Sequence, residues 1–386
     1  MIFYIQVDYY FCFEKLTYLL KFLLVMNRIG ILIILFVFMG FQSESVYAQA
    51  RRSNNLRVSR YKGNINTYAN KRHLAIGGMI NSLNYFGDLA PKSKVTSTDI
   101  SFTRGGFGAF AEYRFGPRMS FGAYLTHGTL RGDDYKSADP NDENAKFRYI
   151  RNLQFRNRIA ELALLTKIDV LSNRGTYLSR PQINGYIFGG VAGIYHNPKA
   201  KVPETDLDGN ALENAGEWIA LQPLGTEGQH SEYYQDTFNV KPYSKWQISI
   251  PVGIGITYRL TTNFDISFEV GYRILFFDHI DDVGGLYVDL GALEDPMAKI
   301  MSDRSQEQLA VVSGDQRDFE GTILPNTSYT TYTSSFDGQS YTVFGGYGHE
   351  HPDNTRGNSN DNDIYIVTSI KLTYILGGTF QNAKFR

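Results

Sequence analysis

The chain has 386 residues, a formal net charge of -1, and 27 Tyr and 26 Phe against a single cysteine. A charge balance this even gives no support to nucleic-acid binding, which rests on an excess of Lys and Arg. Cys12, the lone cysteine, falls in a leader, so neither a disulfide nor a reactive thiol is expected in the mature protein.

From Met26, "MNRIGILIILFVFMGFQSESVYAQA" has a basic Arg28, an apolar core and small residues at Ala48 and Ala50. This pattern predicts a signal peptide over 26–50, with 1–25 an over-extended start; an N-terminal membrane helix is the alternative. The mature chain then begins with an arm over 51–72 carrying Arg51, Arg52, Arg57 and Arg60, and ends in a tail over 377–386.

Between them, eight segments read as strands, near 73–85, 104–115, 119–129, 158–170, 182–195, 244–259, 264–276 and 363–376. The seventh shows the pattern best: Phe264, Ile266, Phe268, Val270, Tyr272, Ile274 and Phe276 alternate with Asp265, Ser267, Glu269, Gly271 and Arg273, which gives a strand with two chemically different faces. The connections alternate in length. Those near 86–103, 130–157, 196–243 and 277–362 are long, and those near 116–118, 171–181 and 260–263 are short. Sorting by parity is expected of a transmembrane barrel, with short periplasmic turns and long outer loops, and not of a soluble sandwich. The fold class predicted is all-β: an eight-stranded antiparallel transmembrane β-barrel over 73–376 with long extracellular loops. A lipocalin-like barrel would invert the faces.

The rows opposite the apolar ones carry both signs of charge: Glu112, Arg114, Glu161, Lys167, Glu269, Arg273 and Lys371. Eight strands leave room only for side chains, so these residues are expected to form a charge-balanced lumen network rather than to perform acid/base catalysis. Other features read as structural. "DLDGN" (206–210) places Gly209 at the wrong offset for a calcium loop and reads as a polar turn. "HEHPD" (349–353) reads as a solvated loop, and "DHIDD" (278–282) as a solvated strand end that could hold a cation or dock a basic partner. His127 sits at a rim without an evident serine partner. No nucleophile elbow, phosphate loop or zinc motif is present, and no cofactor, metal or small-molecule substrate is expected.

Several irregular stretches carry a resemblance: "NYFGDLAPKS" (84–93), "GGVAGIYHNPKA" (189–200), "LQPLGTEGQ" (221–229), "IPVGIGITY" (250–258), "FEVGYR" (268–273), "DHIDDVGGLYVD" (278–289) and "GDQR" (314–317). Together they resemble the PorG-like family of outer-membrane barrels. The resemblance implies a non-enzymatic component of the type IX secretion apparatus in the outer membrane of a Gram-negative bacterium. Its neighbours would be outer-membrane lipid and a periplasmic ring of PorK- and PorN-like subunits. Because these motifs lie mainly in loops, they call for either loop packing or a partner. An adhesin acting through the long fourth loop is the alternative function, and the arm with Arg51, Arg52, Arg57 and Arg60 is the candidate contact with the ring.

Overall fold

The computed structural model describes residues 72–89, 102–358 and 362–376. The expected leader, the arm with Arg51, Arg52, Arg57 and Arg60, and the tail 377–386 lie outside the described residues. Eight strands form the wall: β1 (His73–Phe86), β2 (Arg104–Arg114), β3 (Met119–Asp133), β4 (Gln154–Asp169), β5 (Ile183–Tyr195), β6 (Trp246–Arg259), β7 (Phe264–Leu275) and β8 (Ile364–Leu376). Each pairs antiparallel with its sequence neighbours. β8 pairs with β1 from Leu74↔Leu376 to Phe86↔Ile364, which closes the ring.

Alternation decides the two faces. Along β7, Phe264, Ile266, Phe268, Tyr272 and Ile274 are exposed on the outer wall, while Asp265, Ser267, Glu269 and Arg273 are buried in the lumen. β8 repeats this, with Ile370, Leu372, Tyr374 and Leu376 outside and Ser369, Lys371 and Thr373 inside. Trp246, Ile248, Ile254, Ile256 and Tyr258 extend the belt across β6. A closed ring leaves no strand edge unpaired, and a belt of this composition suits hydrocarbon, so this is the wall of a transmembrane barrel.

The lumen is packed. Met79, Phe110, Tyr124, Leu165, Tyr186 and Phe188 form an interior cluster. Glycines make room for its rings: a Cβ on Gly253 would come within 2.5 Å of Phe188 Cζ, and one on Gly255 within 2.4 Å of Tyr186 Cζ. At the short-turn end, Gly116 N donates to Met119 O and Leu260 N to Phe264 O, closing two tight turns. Asn173 N donates to Pro117 O, drawing the turn over 171–181 towards the one over 116–118.

The other end departs from the expectation of open loops. β3 and β4 run beyond the predicted 119–129 and 158–170, because their register continues from Leu130↔Asn157 to Asp133↔Gln154. Their outer ends are covered rather than solvated: Leu130 and Phe155 are fully buried, among Leu83, Tyr85, Leu153, Ile280, Val283 and Tyr365. This apolar layer closes the barrel mouth. Above it the long loops fold into a cap with cores of their own. One holds Tyr149, Ile150, Tyr287, Ile323, Phe344 and Tyr347, and another Tyr234, Val288, Leu290, Leu293 and Val343. The cap contains the hairpin Tyr329–Thr333/Ser340–Phe344 and a helix over Pro296–Ser302. That helix starts where Asp295 accepts from Met297 N at 2.8 Å with Pro296 in the first turn, a favourable N-terminus.

Candidate functional site

The predicted lumen residues fall into three tiers, built between strands, several of which are not paired with one another, rather than along single ones. At the waist, Lys371 Nζ of β8 lies 2.6 Å from Glu269 Oε1 of β7 and 3.0 Å from Glu112 Oε1 of β2. Lys167 Nζ stands 3.6 Å from Glu112 Oε2. Tyr124 donates its hydroxyl to Glu112 and Tyr186 to Glu269, both at 2.6 Å. Lys371 Nζ also sits 4.5 Å from the centre of the Phe110 ring, and Lys167 Nζ 4.0 Å from that of Tyr186. Two lysines thus meet two glutamates, and aromatic faces hold the cations.

Towards the capped mouth, Arg273 of β7 clamps Glu161 of β4, with Nε–Oε2 at 2.9 Å, and Tyr365 donates to the same carboxylate at 2.7 Å. At the short-turn end, Arg114 pairs with Asp169 at 2.7 Å rather than with Glu112, its neighbour on the same face of β2. Arg180 reaches across the opening to Asp265 at 2.6 Å and donates to the Thr261 and Thr262 carbonyls. A polar cavity of about 60 Å³ lies beside these groups, lined by Glu112, Arg114, Lys167, Arg180 and Asp265.

Sequence reasoning missed Asp169, Arg180, Asp265, Tyr124 and Tyr186 as members of the network. Strand parity carried the signal for the two tyrosines, which share inward rows with Thr126 and Phe188. For Arg180 there was none, because a turn residue has no parity.

The cap holds a second buried network. Arg356 Nη1 lies 2.9 Å from Glu227 Oε1 and 2.7 Å from the Asp282 carbonyl. Thr226 and Tyr243 both donate to the Asp282 carboxylate at 2.6 Å. Arg151 binds Asp134 through Nε at 2.7 Å, and Arg317 donates to the carbonyls of Tyr149, Ile150, Ser305 and Glu307. Burial opposes the Glu227 charge, but His279 and Arg356 hold its pKa down to about 2.

The motif "LQPLGTEGQ" is therefore packed inside the cap: Thr226, Glu227 and Gln229 are buried there. "DHIDD" is not the solvated strand end expected. Asp281 and Asp282 are buried, and Asp281 meets the Tyr85 hydroxyl at 2.5 Å, with Asp363 on the same hydroxyl at 2.8 Å. The fourth loop folds back over the mouth and brings them inside. Burial first, and then the charge of Asp363, pushes the Asp281 carboxyl up; Asp363 is raised by burial and by Asp278.

The remaining motifs are local. In "DLDGN", Asp206 Oδ1 accepts from Asn210 N at 2.8 Å and from Asp208 N at 3.0 Å within an exposed turn. In "HEHPD", His349 packs on Tyr332, and His351 lies 3.6 Å from Asp353 at the surface. Outward-facing His127 packs against Phe107.

Residues 64–214, less than half of the chain, match the model of a domain of unknown function, DUF6089. No curated protein sequence matches the chain. Solved structures similar to it are outer-membrane barrels. A major outer-membrane protein of Thermus thermophilus aligns over 78% of this chain and 99% of its own, with a TM-score of 0.33 and 11% identity. Neisserial surface protein A aligns over 78% and 96%, with a TM-score of 0.31 and 8% identity. Ail of Yersinia pestis aligns over 79% and 97%, with a TM-score of 0.28 and 7% identity. Similarities this low leave the fold to be argued from the closed strand pairing itself.

Proposed function

We propose that this barrel resides in the outer membrane as a non-enzymatic component of a type IX-like protein secretion apparatus, holding a periplasmic ring of PorK- and PorN-like subunits at the membrane. The observation that carries the reading is the filled lumen. With the waist neutralised by Lys371 and Lys167 against Glu112 and Glu269, and the mouth covered by Phe155, Ile280 and Val283, the barrel is a solid anchor rather than a conduit. An anchor works through its surfaces. Burial of "LQPLGTEGQ" assigns that motif to cap stability, which leaves the short-turn rim and the arm with Arg51, Arg52, Arg57 and Arg60 for contact with an acidic ring surface. In this orientation the short turns, the start of β1 and the end of β8 face the periplasm.

Crosslinking with mass spectrometry in intact cells, followed by deletion of residues 51–60, tests this. Ring subunits crosslinked to the rim or the arm, and lost on deletion at equal barrel abundance, support it. Normal cargo secretion after complete loss of the protein would overturn it in favour of a surface-binding role. The cap offers features for that role: Tyr233, Phe238, Tyr329 and Phe336 are exposed, and aromatic side chains suit contact surfaces.

A further inference from the structure

His279 lies where the third and fourth long connections of the cap meet at the barrel mouth, at residues 226–229 and 278–285. Its Nε2 is 3.7 Å from Glu227 Oε2. Its ring packs on Tyr243 at 5.1 Å, and the opposite neighbour of Tyr243 is His196, at 5.8 Å. The charged groups facing it are Glu227 from the earlier connection, Asp282 from its own, and Arg356 from the end of the fourth loop. Tyr243 donates to Asp282, and His196 is kept neutral by burial, its pKa pushed down to about 4. Glu227, Asp282 and Arg356 are each almost wholly buried. Burial pushes the Asp282 carboxyl up, so Glu227, already bonded to Arg356 and 3.7 Å from His279, is the carboxylate that the imidazolium meets. A buried carboxylate gains from a second cation at its free oxygen.

We infer that His279 is a proton-operated latch: its imidazolium pairs with Glu227 and fastens the two connections of the outer cap together, and loss of the proton loosens them. Although burial disfavours the charge, Glu227 and then Asp282 raise the His279 pKa above the ordinary imidazole value. A histidine raised in the folded state contributes stability that is fully present below its unfolded pKa, roughly 6.5, and lost as pH rises through the folded value. The cap is thus tight in mild acid and loosens as the pH rises through the raised His279 value. Arg356 still holds Glu227 after deprotonation, so the effect is a loosening and not an unfolding.

The experiment uses the full-length protein in lipid nanodiscs. The His279 Cε1 resonance is followed by NMR, and hydrogen-exchange protection of 226–229 and 280–285 is measured from about pH 5 to about pH 9. The expected results are a His279 pKa above the ordinary value and protection that falls tenfold for each unit of that elevation. His279→Gln should remove the part of that fall that follows the His279 titration, leaving only the change carried by the raised Asp281, Asp282 and Asp363 carboxyls, and its protection should equal the wild-type level at the alkaline end. A His279 resonance titrating at or below the ordinary value would overturn the latch, as would wild-type protection that stays flat across the range. Both readings come from the wild-type protein, so the test stands even where the variant fails to fold.

Discussion

Replacing Lys371 with Met strands a carboxylate at the waist of the barrel. The ammonium is fully buried, 2.6 Å from Glu269 and 3.0 Å from Glu112. The thioether can occupy the same space against Phe110 and Tyr124, so packing changes little. Glu112 keeps Lys167 at 3.6 Å and the Tyr124 hydroxyl at 2.6 Å. Among the described residues Glu269 keeps the Tyr186 hydroxyl at 2.6 Å but no other ion pair. The loss is therefore that of one broken buried pair, about 3–5 kcal/mol, plus about 1 kcal/mol for the cation over the rings. Urea unfolding in lipid vesicles measures it. Adding Glu269→Gln removes the stranded charge and should restore at least about 1 kcal/mol relative to the single variant. A Lys371→Met protein within about 1 kcal/mol of wild type, or a double variant no better than the single, would mean that the waist does not hold ionised pairs.

On the wall, Phe268→Arg puts a guanidinium on the lipid face and should cost about 2–4 kcal/mol in vesicle refolding, whereas Ser267→Arg on the same strand points into the lumen and avoids hydrocarbon. Equal yields for wild type and Phe268→Arg would show that this face does not meet lipid. For orientation, cysteines at exposed Asn141, Asn210 and Ser335, in a Cys12→Ser background, should label with an impermeant maleimide on whole cells while one at Thr262 stays protected; the reverse pattern would invert the topology. At the Tyr85 junction one hydroxyl proton serves two carboxylates. Both carboxyls are raised, so their stabilising effect is greatest in acid and declines as pH rises towards their folded pKa values. Asp363→Asn should flatten that decline in melting curves recorded from about pH 5 to about pH 8, and a wild-type curve without such a decline would count against protonation there.

The sequence by itself determined the wall. Period-two alternation, with loops sorted by length, specifies eight strands, their inward rows and the side that is crossed by short turns, because a barrel requires only alternation and closure. It also determined which charges lie inside: Glu112, Glu161, Lys167, Glu269, Arg273 and Lys371 all occupy inward rows. Most of their partners were decided by closure of the ring, which brings strands that are not paired with one another to face across the lumen. Arg114 pairs not with Glu112, two residues away on its own strand, but with Asp169 of β4, two strands along the ring. The cap was beyond sequence reasoning for the same cause on a larger scale. Loops have no period, so nothing in "DHIDD" or "LQPLGTEGQ" read alone distinguishes a solvated turn from a buried one. Only the tertiary fold, by bringing Glu227, Asp282 and Arg356 together from residues up to 129 positions apart, turns exposed-looking charges into the buried supports of a closed barrel mouth.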